Sequence, residues 1–367
     1  MIRAVGKRFQ PFLVTVVAVL LATGCEVART PAPVGVGLLR VGQPLRLSGR
    51  PALSPVSWAP DGATLAFTDG DGVWIAPLDR TRGREQKVTA AGHATAVDWS
   101  PGTGLLAYID QGTVVVVRPN GRGKRRIPLR AAGGGSAFAT ALVWAPHGDR
   151  LAVAVRDGRT GAVWLVSADG GRRNRVFPAP PGDPAPAGYT VGALGWYPDS
   201  LFLFIGIGPD GAVSRLLRRR ITYPDRRTLP LGVPRAIVPV LAPDGKWIAF
   251  AAASSGGGGE AVWVVAEDGR SAPRQVGDGT GRVGDVRWAP SSDKVAFTRI
   301  LGEGRGEIWI ADADGRGRRR IAQFVAEFPD PDLPLVVRWS PDGRTLAYGS
   351  DSGTFQGHVW IVTLERQ

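Results

Sequence analysis

From about residue 40 onward the chain is filled with short apolar-rich segments, and no stretch of it carries the helical repeat of about 3.6 residues. One class of segment is rich in Val, Ile and Trp: "VWIAPL", "VVVVRP", "VWLVSA", "VWVVAE", "IWIADA" and "VWIVTL". A second class is shorter and more apolar: "TLAF", "LLAY", "WIAF", "KVAF" and "TLAY". β-Branched and aromatic residues in runs of this length, bounded by Gly, Pro, Asp and Ser, predict strands throughout. The pattern predicts an all-β chain.

The strands fall into a repeated unit. Trp58-Ala59-Pro60-Asp61-Gly62 recurs around Trp99, Trp144, Trp196, Leu241, Trp288 and Trp339, at intervals of about 41 to 52 residues. Each unit runs a first strand such as "SPVSW" or "LVVRW" into a Pro-Asp-Gly turn, where Pro presets φ and Gly supplies a positive φ. A second strand, a polar loop, a third strand and a turn such as "ADGR" follow, and a weaker fourth strand such as "RRIAQF" or "PRQVG" carries the chain outward. Seven such units predict a seven-bladed β-propeller of four-stranded blades over residues 39–367.

The combination "RWSPDGRTLAY…HVWIV" resembles the WD40-like repeats of the TolB family of bacterial β-propellers, and the resemblance extends from about residue 40 to the end. It implies the propeller fold. TolB-type chains carry an α/β domain before six blades, whereas seven repeats are present here and the segment before them is too short for such a domain. The partners of TolB are therefore not carried over.

The last repeat is incomplete. It has strands at 335–339, 344–349 and 358–363 but no fourth. A preceding segment, "QPLRLS" at 43–48, resembles the outer strands of the other units and is expected to pair beside 358–363. That closure would remove an open edge and tie the two ends of the propeller together.

The N-terminus has a different character. Arg3, Lys7 and Arg8 precede an apolar run from Phe12 to Leu21, too short for a membrane-spanning helix and of the form of a secretory signal. It ends in "LLATGC", which resembles a bacterial lipobox, and Cys25 is the only cysteine of the chain. Residues 1–24 are read as a signal peptide, Cys25 as the lipidated residue and 25–38 as a flexible tether. The expected protein is exported, anchored to the bacterial membrane through acylated Cys25, extracytoplasmic and monomeric. With that cysteine committed to lipid, no disulfide is available and stability must come from packing.

Candidate chemistry is sparse. His93, His147 and His358 occupy different parts of different repeats, none at metal-ligand spacing, and His147 stands at the Asp position of a turn. Gly279–Gly284 fits GxGxxG, but the strand "DVRW" follows where a dinucleotide site needs a helix. Asp351-Ser352-Gly353 lies in a loop without a catalytic framework, and Asp312-Ala313-Asp314-Gly315 is followed by arginines that do not suit a cation site. No catalytic residue, metal or cofactor is assigned.

Charge changes the picture more. The net charge is +13. In a propeller the one-to-two and three-to-four turns share a face, and the segments expected at three-to-four turns are strongly basic. Arg122, Lys124, Arg125, Arg126, Arg218, Arg219, Arg220, Arg318, Arg319 and Arg320 form a candidate basic face, while Asp69, Asp71, Asp110, Glu260 and other acids fall on the opposite side. Solvation of outer strands and attraction to an anionic surface both account for such arginines. Three charges directly before a repeat Trp, Asp98, Arg287 and Arg338, sit on innermost strands and are expected either to form inter-blade ion pairs or to contact a ligand in the channel. The expected function is binding of a protein, peptide or cell-envelope polymer, with no nucleic-acid partner. The alternative is a propeller enzyme, a lyase or lactonase-like hydrolase, using the central channel.

Overall fold

Leu39 and Arg366, at opposite ends of the described chain, are directly paired in one antiparallel sheet. The computed structural model describes residues 39–366, apart from 50–55, 70, 80, 82, 131–134, 136, 158–159, 179–187, 210–211, 223–225, 230, 234, 303–304, 326–334 and 351–357. Cys25, the signal segment, the tether, Asp351-Ser352-Gly353 and most of "PAPPGDPAPAG" lie outside the described residues.

The described residues form seven antiparallel sheets. Six are four-stranded and contiguous in sequence, beginning at Ser57–Trp58, Ala94–Trp99, Phe138–Trp144, Thr190–Trp196, Ile237–Leu241 and Arg282–Trp288. These are blades 1 to 6, and each first-named strand is the innermost. Blade 7 is built from both ends of the chain: Leu335–Trp339, Thr345–Ser350 and Trp360–Arg366, then Leu39–Val41 and Leu45–Arg46 outside them.

Ring closure by the N-terminal segment is therefore as expected, with one refinement. The fourth strand is split. Leu39–Val41 pairs with Leu364–Arg366, and Leu45–Arg46 pairs with Trp360 and Ile361. Gly42 N–H donates to the Thr363 carbonyl at the break, and Leu47 N–H donates to Val359. The last strand of the chain also runs on to Arg366, which gives the extra upstream residues something to pair with.

The core lies between blades. Apolar side chains form seven clusters, each shared by two adjacent blades. Large side chains such as Phe67, Tyr108, Phe204 and Phe250 are fully buried there, each contributing about 1.5–3 kcal/mol by burial. The N-terminal segment serves two of these clusters. Leu39 packs between blades 6 and 7, and Leu47 packs between blades 7 and 1.

The Pro-Asp-Gly turns work as their residues dictate. One residue per turn sits in the left-handed region: Gly62, Gly104, Gly148, Ser200, Gly245, Ser292 and Gly343. Where Asp precedes that residue, its carboxylate accepts the backbone N–H two positions on, as with Asp61 and Ala63 or Asp342 and Arg344.

Candidate functional site in the central channel

The innermost strands of all seven blades enclose a cavity of about 790 Å³. Its wall is largely apolar, from Val97, Leu142, Val143, Leu194, Val238 and Val240. The strand pairing behind this wall is irregular. The pairing of the first two strands slips in blades 2 to 6, between Ala94 and Val97, Ala139 and Ala141, Val191 and Ala193, Ile237 and Val240, and Val283 and Val286. Val238 lies within one of these slips at φ 42°, a strained conformation for a β-branched residue.

The position before the repeat Trp (Leu241 in blade 5) is occupied in turn by Ser57, Asp98, Val143, Gly195, Val240, Arg287 and Arg338. Going around the ring, Arg287, Arg338, Ser57 and Asp98 are consecutive, and Val143, Gly195 and Val240 complete the circle. The layer therefore has a polar arc and an apolar arc.

Asp98 ties three blades together. Its Oδ1 accepts from the Ser57 hydroxyl at 3.1 Å and from Trp99 N–H at 3.1 Å, and its Oδ2 accepts from Trp144 N–H at 2.9 Å. Burial pushes this carboxyl above its usual range, opposed by those hydrogen bonds and by the charge of Arg338.

Arg287 and Arg338 converge on a residue that the sequence reading passed over. Asp285 Oδ1 lies 3.1 Å from Arg287 Nη2, and Asp285 Oδ2 lies 2.8 Å from Arg338 Nη1. Asp285 Oδ2 also accepts from Val337 N–H at 3.2 Å, so this carboxylate crosses from blade 6 to blade 7. The inter-blade ion pair is thus made through Asp285, and Asp98 is held by neutral donors instead. Asp285 falls within the strand-pairing slip of blade 6, where its own N–H is taken by the Thr298 hydroxyl at 2.8 Å. Burial, and then the adjacent Arg338, bring the Arg287 guanidinium down to about 10, against the pull of Asp285. The signal available in sequence was the Asp-x-Arg spacing of "DVRW", which puts both side chains on one face of a strand.

The residues of the candidate basic face have divided roles. Arg122 and Arg318 are exposed. Lys124 Nζ donates to Thr89 Oγ1 and the Ala90 carbonyl of blade 1, each at 3.0 Å, and Arg125 donates to the Asp169 carbonyl of blade 3 at 3.2 Å. Arg126 pairs with Asp110 at 2.7 Å, Arg320 with Glu307 at 2.8 Å, and Arg319 donates to the Leu39 carbonyl. The segment 215–220 departs from expectation, because Arg215–Arg220 forms the third strand of blade 4 rather than a turn. There Arg218 stacks over Phe202 at 4.0 Å and lies 3.8 Å from Glu267, Arg220 lies over Phe202 at 5.9 Å, and Arg219 is only 4% exposed. Arg219 packs into the blade, whereas Arg218 and Arg220 lie against Phe202 with part of each residue still at the surface. Asp110, expected on the opposite face, is instead paired with Arg126, so the two signs are not separated there, and Glu260 accepts the Val283 N–H at 2.8 Å.

The other motifs behave as local structure. The strand Arg282–Trp288 begins inside the GxGxxG segment, and His147 sits in the tight turn closed by Gly148. Among the described residues, no three His, Cys, Asp or Glu side chains are grouped so as to hold a metal ion.

No protein-family model and no curated protein matches the chain. Solved structures do. One is an oligogalacturonate lyase in complex with manganese, with a TM-score of 0.67 and 12% identity over 89% of this chain and 96% of that one. Another is a mitotic checkpoint complex, with a TM-score of 0.58 and 17% identity over 89% of this chain and 91% of that one. A third is a putative TolB from Agrobacterium tumefaciens, with a TM-score of 0.51 and 20% identity over 78% of this chain and 96% of that one. Together with the seven blades, these likenesses identify the fold as a TolB-like, WD40-like β-propeller.

Proposed function

We propose that this protein is an exported, membrane-anchored binding module whose central channel receives a protein, peptide or cell-envelope polymer. The observation that carries the reading is the channel itself. All seven innermost strands contribute to one cavity of about 790 Å³, within the size of ligand sites, and its wall is apolar with a few convergent polar groups. The export and anchoring part rests on sequence, on the basic start, the apolar run and Cys25. Two acyl chains would hold such a protein stably at a membrane. Exposed arginines such as Arg122 and Arg318 would favour an anionic surface, each contributing roughly 1 kcal/mol near such a membrane.

Two comparisons test this. Fractionation of Cys25→Ser against the wild type reads the anchor, and the substituted protein is expected in the soluble fraction. Cross-linking in the native envelope reads the channel. Thr95 is exposed on the channel wall, so Thr95→Trp is expected to obstruct the cavity and remove partner cross-links. Retention at the membrane, or unchanged cross-links, would refute the respective part.

The second reading, a lyase-like activity in the channel, is supported by the likeness to oligogalacturonate lyase. The manganese of that enzyme has no matching donor cluster among the described residues, and both channel carboxylates are already hydrogen-bonded within the ring. Binding is the better-supported reading.

A further inference from the structure

We propose that the channel binds a carboxylate group carried on an apolar body, with Arg287 and Arg338 as the anion-binding pair. The proposal deepens the channel-binding reading and rests on it. Two guanidiniums from neighbouring blades share one carboxylate, Asp285. The Asp285 side chain is only 4% exposed, whereas those of Arg287 and Arg338 are 31% and 21% exposed. Within this cluster of three, the charge that solvent and solutes can reach is therefore cationic.

Asp98 feels the charge of Arg338, but its oxygens are taken by Ser57, Trp99 and Trp144, so it does not occupy the remaining arginine N–H donors. Among the described residues, Arg287 bonds through Nη1 and Nη2, to the Val286 carbonyl and Asp285. Arg338 bonds through Nη1 alone, to Asp285 and the Val337 carbonyl. Each guanidinium carries five N–H donors in a planar fork, so donors remain on both for incoming oxygens. A carboxylate is the planar two-oxygen anion that such a fork binds in bidentate fashion. It would also relieve the unfavourable proximity of Arg287 and Arg338, which the single Asp285 charge balances only in part. Across the same layer, Val143 and Val240 offer an apolar wall to the rest of the molecule. A peptide C-terminus with an aliphatic side chain has this combination of groups.

The test uses N-acetyl-leucine as the probe and N-acetyl-leucinamide, which lacks the charge, as its control, by calorimetric titration and thermal shift of the full chain. N-acetyl-leucine is expected to bind and to raise the melting temperature, with the amide weaker by about tenfold or more, a difference of about 1.4 kcal/mol. Arg287→Met leaves Asp285 paired with Arg338 and is expected to weaken N-acetyl-leucine by a similar factor. The acid-against-amide comparison on the wild-type chain stands even if that variant folds poorly. Equal binding of acid and amide, binding of neither, or undiminished affinity in folded Arg287→Met overturns the proposal. The broader channel reading fails separately, if Thr95→Trp leaves partner cross-links unchanged.

Discussion

The indole Nε1 of Trp58 donates a 3.3 Å hydrogen bond to the backbone carbonyl of Arg338, across the seam where blade 1 meets blade 7. The same bond recurs around the ring. Trp144 reaches the carbonyl of Asp98, Trp196 that of Val143, Trp288 that of Val240 and Trp339 that of Arg287. In each case the repeat Trp of one blade binds the residue before the repeat position of the preceding blade. The repeat Trp is thus an inter-blade clamp as well as a core residue. Blade 5 has Leu241 at this position and no indole to donate. Blade 2 has Trp99, whose buried indole nitrogen has no hydrogen-bond partner among the described residues.

This difference can be measured. Trp58→Phe should cost more stability than Trp99→Phe, by about 1 kcal/mol, because the two lose similar packing but only the first loses a made bond. Denaturant titration of the two variants reads the gap, and equal losses would show that the clamp carries no net energy.

The split outer strand makes a second prediction. A chain starting at residue 49 loses the burial of Leu39 and Leu47, worth together about 3–6 kcal/mol, relative to one starting at residue 39. It also exposes the edge of Trp360–Arg366, so self-association should accompany the loss. Melting curves and size-exclusion chromatography check both effects, and identical melting of the two chains would sink the closure model.

Asp285 is the single anion between two guanidiniums. Asp285→Asn leaves Arg287 and Arg338 facing each other without it, and should destabilise the protein by about 3–5 kcal/mol, as expected when one partner of a buried pair is removed. Urea unfolding at neutral pH is the measurement.

The serines that replace glycine in two turns should respond differently. Ser200 has φ 56°, and its buried hydroxyl has no hydrogen-bond partner among the described residues, so Ser200→Gly removes strain and an unsatisfied group and should stabilise by about 0.5–1 kcal/mol. Ser292 has φ 59°, but its hydroxyl accepts the Asp244 N–H of the neighbouring blade at 3.0 Å, so Ser292→Gly should come out near neutral. Thermal melts of both variants decide between turn strain and lost bonding as the controlling effect.

Glu307 provides the acid-side prediction. Burial alone would raise its carboxyl. Hydrogen bonds from Trp309 Nε1 and Arg320, both at 2.8 Å, with the charges of Arg299 and Arg320, hold it below the usual value of 4.5 instead. A depressed carboxylate stabilises the fold above its unfolded pKa, and that stability is lost as pH falls through the folded one. The stability gap between wild type and Glu307→Gln should therefore be widest near neutrality and shrink below about pH 4.5. A gap independent of pH would remove the charge from the explanation.

Much of this architecture is legible in the linear chain. The Trp-x-Pro-Asp-Gly recurrence marks the blades because a tight turn needs Pro, Asp and Gly at fixed offsets, and that chemistry is local. The missing fourth strand of the last repeat and the spare one at the start predict the closure, because an unpaired edge in one place requires a strand from another. Arg287 and Arg338 stand out in sequence because charge is unusual on an innermost strand.

The arrangement of those charges is decided only in three dimensions. Asp285 serves Arg338 because their innermost strands lie side by side, and blade adjacency rather than local spacing supplies its second partner. The run at 215–220 looks like a basic turn, yet it is a strand in which Arg218 lies against Phe202 and Glu267 and Arg219 is buried. Sequence thus determines the repeat, the turns and the way the ring shuts, since these follow from backbone geometry over a few residues. Tertiary structure decides which charges cancel and which remain open to the channel, because that depends on which blades meet.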